Sequence, residues 1–69
     1  MNLIPVISRD LSEVGYNSNT QQLEIVFNSG GAYLYSGVTS DEYQGLMNAS
    51  SKGRYFHAFI KHHPYVRVN

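Results

Sequence analysis

At Gly37 the hydrophobic repeat of this chain changes period, and that change selects the class of fold open to it. Before it, Gln22-Leu23-Glu24-Ile25-Val26-Phe27 places Leu23, Ile25 and Phe27 on one side and Glu24 and Val26 on the other, the period-two pattern of a half-buried strand. Asn28-Ser29-Gly30-Gly31 interrupts it, since paired glycines supply the positive φ angles of tight turns, and Ala32 to Ser36 returns as the next strand. Upstream, Leu11 to Asn17 sets Val14 and Tyr16 against Glu13 and Gly15, and Asn17-Ser18-Asn19-Thr20 has the composition of a turn. The front of the chain therefore predicts an antiparallel meander.

Beyond Gly37, read as the exit from the last strand, the spacing becomes three and four. Thr39-Ser40-Asp41-Glu42 matches a capping box, with the Thr39 hydroxyl accepting from the Glu42 amide and the Glu42 side chain reaching back. Val38 and Tyr43 occupy the staple positions, Tyr43, Leu46 and Met47 make an apolar stripe, and Asp41 and Glu42 suit the positive end of the helix dipole. Asn48 to Ser51 ends this helix, and Ser50 or Ser51 can cap a second, along which Tyr55, Phe56, Phe59, Ile60 and His63 recur on one side. Pro64 stops it, and Tyr65-Val66-Arg67-Val68 is either a short tail or an edge strand. Strands followed by helices predict an α+β fold: an antiparallel β-meander of three to four strands, then two short helices packed on one face, with the C-terminal segment able to add a short strand. Gly45, inside the first helix at a cost of up to about 1 kcal/mol relative to Ala, is expected where that helix approaches the sheet, and Gly53 at a helix start.

Sixty-nine residues allow one domain. Ordering them costs on the order of 100 kcal/mol, so the margin of stability is slim and association into a homo-oligomer would add burial. With no cysteine there is neither disulfide nor thiolate metal site, which fits a reducing cytoplasm. The start Met1 to Ile7 lacks the charge and length of a signal peptide, and no apolar run approaches the roughly 20 residues of a membrane span, so a soluble, unprocessed chain with no membrane partner is expected.

The zero net charge conceals a division. Lys52, Arg54, Lys61 and Arg67 lie in the last eighteen residues with no acid, while Met1 to Ser51 holds Arg9 against Asp10, Glu13, Glu24, Asp41 and Glu42. His57, His62 and His63 share the basic tail with Tyr55, Phe56, Phe59 and Tyr65, and cations mixed with rings can meet phosphates and stack bases. On a regular helix Arg54, His57 and Lys61 line one polar stripe opposite Tyr55, Phe56, Phe59 and Ile60, with Lys52 at its start and no balancing acid. Tyr33 and Tyr35, two apart on a strand, point to one side roughly 7 Å apart, a spacing suited to successive bases. Which side depends on the preceding turn. A loop of even length turns the rings away from Leu23, Ile25 and Phe27 and frees them for a ligand, whereas an odd loop or a bulge turns them inward, and two glycines permit either.

Catalytic and metal chemistry find no footing in the pattern. The histidine spacings, five and six, do not bring two rings to one face of a straight helix as His-x-x-x-His would. There is no nucleophile elbow, no phosphate-binding glycine loop and no spaced G-x-G-x-x-G, so no catalytic residue, metal ligand or cofactor is assigned and the chain is expected not to be an enzyme.

Tyr33-Leu34-Tyr35, the apolar strand before Gly30-Gly31, and Leu46-Met47-Asn48-Ala49-Ser50-Ser51 with Gly53-Arg54-Tyr55-Phe56 together resemble the KTSC domain. That family is named for the C-terminal region of some lysyl-tRNA synthetases and also occurs as free-standing small proteins of bacteria and their phages. The resemblance covers nearly the whole chain and implies a single KTSC-like domain over residues 1–69 with a role in RNA binding, but it carries no catalytic residues. Three functions follow as expectations. The first is a non-enzymatic RNA-binding module, with Tyr33 and Tyr35 stacking and Lys52, Arg54, His57, Lys61 and Arg67 facing phosphates. The second is an oligomeric phage or bacterial protein that binds or sequesters a small nucleotide with the same residues. The third is a protein-interaction domain whose acidic and basic halves pair, or whose Tyr65 to Val68 segment augments another sheet.

Overall fold

The computed structural model describes residues 1–69. Five strands, β1 (Ile4–Pro5), β2 (Leu11–Asn17), β3 (Gln22–Phe27), β4 (Ala32–Tyr35) and β5 (Tyr65–Arg67), form one antiparallel sheet in the order β1-β2-β3-β4-β5. Between β4 and β5 run α1 (Ser40–Asn48) and α2 (Lys52–Tyr55), the latter continued by a π-helical turn over Phe56–Ile60. The α+β class and the meander agree with the sequence reading. The tail settles as a fifth strand, and β1 is an addition that a two-residue segment containing Pro5 did not signal.

Leu11, Val14, Leu23, Ile25 and Tyr35 from the strand region pack against Val38, Leu46, Phe56 and Ile60 to make the core. Val14 pairs with Ile25 and Tyr16 with Leu23, so the period-two pattern delivers these side chains to the face the helices cover. The pairing slips by one residue between Leu11 and Glu13, a bulge that keeps Leu11 buried beside Phe27, and the Ser12 carbonyl there accepts from the Val6 amide at 3.0 Å.

The β3–β4 turn sets the register on which the site depends. Val26 pairs with Ala32, leaving Phe27 to Gly31 as a five-residue loop closed by Phe27 N–H to Gly31 O at 3.1 Å and Gly30 N–H to Phe27 O at 3.0 Å. Gly30 and Gly31 have φ of 103° and 89°, which residues with a Cβ rarely adopt. The loop is odd, so Tyr35 faces Leu23, Tyr33 faces Ile25, and both rings turn to the covered face.

The capping box is present as read: Glu42 N–H donates to Thr39 Oγ1 at 3.2 Å, and Thr39 N–H donates to Glu42 Oε1 at 2.9 Å. Tyr16 joins β2 to this end of α1 by donating its hydroxyl to the Val38 carbonyl at 2.5 Å and stacking on Tyr43, with centroids 4.5 Å apart. Gly45 makes a different close approach from the one expected. It meets the second helix and not the sheet, because a Cβ there would overlap the Tyr55 hydroxyl and lie 2.5 Å from Tyr55 Cζ. The apolar stripe of the second helix is also narrower than its spacing suggested: Phe56 and Ile60 are buried, but Phe59 is exposed and lies against the Tyr55 ring at 4.6 Å.

Candidate aromatic and basic groove

An open groove of about 390 Å³ lies between β4, β5, the β3–β4 loop and the π-helical end of the second helix. Its walls are Phe27, Tyr33, Tyr35, Phe56 and Tyr65, with Ser29 and Gly30 at one rim and Lys61 at the other. The rings contact one another edge to face: Phe27 with Tyr33 at 5.8 Å, Phe27 and Tyr35 each with Phe56 at 5.4 Å, and Tyr33 with Tyr65 at 5.8 Å. Arg67 pairs with Tyr33 across the β4–β5 ladder and sets its guanidinium 5.7 Å from the centre of that ring, while its Nε donates to the Asn69 carbonyl at 2.8 Å.

The two central tyrosines differ in what they offer. Tyr35 is 5% exposed, so it forms the floor of the groove and is not a free stacking ring. Burial, with Tyr65 and Tyr33 beside it, pushes its phenol up to about 12, because the phenolate is poorly solvated there. Tyr33 is half-buried and Tyr65 is 58% exposed, and these two rings are the ones a ligand can meet. The expected open Tyr33–Tyr35 platform is thus replaced by a Tyr33–Tyr65 wall over a Tyr35 floor, a consequence of the odd β3–β4 loop.

The cations also divide. Lys61 lines the groove and Arg67 lies over the ring of its Tyr33, whereas Lys52, Arg54 and His57 border a separate polar depression with Arg9, Asp10, Ser50 and Ser51. The continuous stripe expected of Arg54, His57 and Lys61 is broken by the π turn, where Lys61 N–H donates five residues back to Phe56 O at 2.9 Å and the extra residue rotates Lys61 away from the helix start. Lys52 is partly occupied, donating to the Ala49 carbonyl at 3.4 Å. A third depression joins the two regions, sharing Arg9, Asp10, Gly53 and His57 with one and Phe27, Ser29 and Phe56 with the other. Asp10 is the acid on this path, its carboxylate packed where a Cβ on Gly53 would stand.

The histidines serve separate ends. His57 packs edge-on against Phe56 at 5.3 Å, and His63 bonds Glu42 and the Ser36 carbonyl. No three histidine or carboxylate side chains converge on a point that could hold a metal ion.

Residues 7–65 match the family model of the KTSC domain. The chain belongs to the KTSC domain family. A crystal structure of a KTSC domain protein from Yersinia pestis is 35% identical, and with a TM-score of 0.95 it matches 99% of this chain and 97% of its own. An uncharacterized protein of Stutzerimonas stutzeri is 35% identical over 71 residues, spanning the whole of both chains. A lysine–tRNA ligase of Trichormus variabilis is 47% identical over 51 residues, which is 74% of this chain and 9% of the ligase. The KTSC fold is therefore shared by free-standing bacterial proteins and by a small part of much longer ligases.

Phe27, Phe56 and Tyr65 also line the groove, and spacing along the chain assigned none of them to the site. The signal was present for Tyr65: Tyr65-Val66-Arg67-Val68 alternates ring, aliphatic, cation, aliphatic, so a strand assignment would put Tyr65 and Arg67 on one face.

Proposed function

We propose that this KTSC domain is a non-enzymatic module that binds single-stranded RNA, with bases against Tyr33 and Tyr65 and phosphates at Lys61 and Arg67. The observation that carries this reading is the joining of half-open aromatic rings and two cations at one groove, the chemistry that base stacking and backbone tracking require. The depression through Phe27 and Phe56 leads on to Arg9, Lys52 and Arg54, three cations against the single carboxylate of Asp10, and so offers further phosphates a net positive route. The presence of a similar segment in a protein named for its action on lysine and tRNA favours RNA over other polyanions.

The test is titration of fluorescently labelled single-stranded RNA, and of mononucleotides and cyclic dinucleotides, at several salt concentrations. Two phosphate contacts in the groove predict a slope of log K against log salt of about −1.4, rising to about −3 if Lys52 and Arg54 join. Tight binding of a small nucleotide with a weak salt dependence, and none of RNA, would replace this reading by the nucleotide-sequestering one.

A further inference from the structure

The sheet has two edges of opposite character. On one side β1 is two residues long and contains Pro5, which has no N–H to donate, so further strands are discouraged there. On the other, β5 bonds β4 alone and presents Tyr65 and Val66 at 58% and 57% exposure, with no proline inside the strand, no bulge and no covering loop.

The polarity of the β5 backbone indicates what can bind it. Ser36 N–H donates to Pro64 O and Val68 N–H donates to Ala32 O, so the even-numbered residues face β4 and the peptide groups of Tyr65 and Arg67 face outward. An antiparallel second copy of β5 centred on Val66 would set Tyr65 against the partner's Arg67, and Arg67 against the partner's Tyr65, as hydrogen-bonded pairs that use all the outward groups. On the groove face, each Tyr65 ring would then stand opposite the other copy's Arg67 side chain, whose guanidinium lies over its own Tyr33. On the outer face, Leu34 lies beside Val66 in the ladder, so Leu34, Val66, the partner's Val66 and the partner's Leu34 would make one apolar row across the axis. The strand is complementary to itself on both faces.

We infer that β5 is the interface of a symmetric homodimer with a two-fold axis at Val66, and that the partner's Arg67 completes the groove beside Tyr65. The blunted β1 edge makes the assembly a closed pair and not a fibre. This interface stands apart from the RNA reading, since it follows from backbone polarity and residue order alone.

The test uses the absence of native cysteine. In the proposed register Val66 and its copy are a non-hydrogen-bonded pair with Cα atoms about 4.5 Å apart, within disulfide reach, whereas Val68 and its copy are roughly 13 Å apart. Under mild oxidation, Val66→Cys should form a covalent dimer at least about tenfold faster than Val68→Cys, because only the former meets the geometric limit. The unmodified chain should sediment at twice its 7.8 kDa as concentration rises. Arg67→Pro removes an outward N–H and leaves the β4 ladder intact, so it should retain the circular dichroism of the fold and sediment as a monomer. A chain that stays at 7.8 kDa up to millimolar concentration, or Val68→Cys crosslinking as fast as Val66→Cys, would overturn the interface.

Discussion

The imidazole of His63 bridges two elements far apart in the chain: Nε2 lies 3.1 Å from Glu42 Oε2, and Nδ1 lies 3.1 Å from the Ser36 carbonyl oxygen. The turn into β5 is thereby pinned to the first turn of α1 and to the end of β4, and Ser36 N–H to Pro64 O at 2.8 Å closes the same junction. Glu42 thus holds the capping box with one carboxylate oxygen and β5 with the other.

Burial raises the Glu42 carboxyl, but the Thr39 amide and the hydrogen bond and charge of His63 outweigh it and hold the group below its ordinary 4.5. A depressed carboxylate contributes stability that is present well above that ordinary value and is lost as pH falls through the folded pKa. Glu42→Gln should therefore lower stability by about 1 kcal/mol near neutral pH, with the difference from the parent shrinking toward pH 3. Urea midpoints for the two proteins at several pH values measure this, and a constant difference would show that the charge is not the cause.

Tyr35 titrates in the opposite sense. Its neutral phenol is favoured in the fold, so this contribution is intact below the ordinary value of 10.0 and lost as pH rises toward about 12. Absorbance of phenolate should show one late step near that value, and Tyr35→Phe should remove the step, keep the fold and raise the pH of alkaline unfolding.

Ring truncation separates the floor of the groove from its wall. Tyr35→Ala removes a core side chain and should cost roughly 3 to 5 kcal/mol, enough to unfold a chain of this size. Tyr65→Ala removes a ring that is mostly exposed, should leave the thermal transition within a few degrees, and should weaken single-stranded RNA binding about tenfold if each stacked base contributes in the usual range. Equal affinity of Tyr65→Ala and its parent would move the binding surface elsewhere.

Gly45 supplies a check on the helix–helix contact. Ala is ordinarily the better helix former, yet Gly45→Ala should lower stability by about 1 to 2 kcal/mol because the new methyl displaces the Tyr55 ring. In a Tyr55→Ala background the same change should become neutral or stabilising. Denaturant unfolding of the double-mutant cycle measures the coupling.

How much of this was legible follows from the range of the interactions. The Thr39–Glu42 cap and the Leu23, Ile25 and Phe27 face are set by neighbours within four residues, so period and spacing reveal them, whereas the second helix ends at Ile60 and leaves His63, expected on its stripe before a stop at Pro64, in the turn beyond it. The KTSC resemblance was carried by such local segments, and the family match bears it out. The site was less visible. Spacing pairs Tyr33 with Tyr35 on one side of a strand, but burying Tyr35 and exposing Tyr65 requires knowing which strands flank β4. The same holds for Lys61, since a regular helical repeat cannot register the π turn that moves it from Arg54 to the groove.

By itself the sequence determined the order of β2, β3, β4 and the two helices, the caps and the alternating faces, because each depends on local backbone preference and on hydrophobic spacing, whereas β1 and the pairing of β5 lay beyond it. Only the tertiary structure decided that a five-residue loop turns Tyr33 and Tyr35 inward, and that β5 returns about thirty residues after β4 to lay Tyr65 and Arg67 beside them. Loop parity and strand adjacency are properties of chain closure around a common core, where burial of Leu23, Ile25 and Leu46 selects one register from several that the turn residues alone would allow.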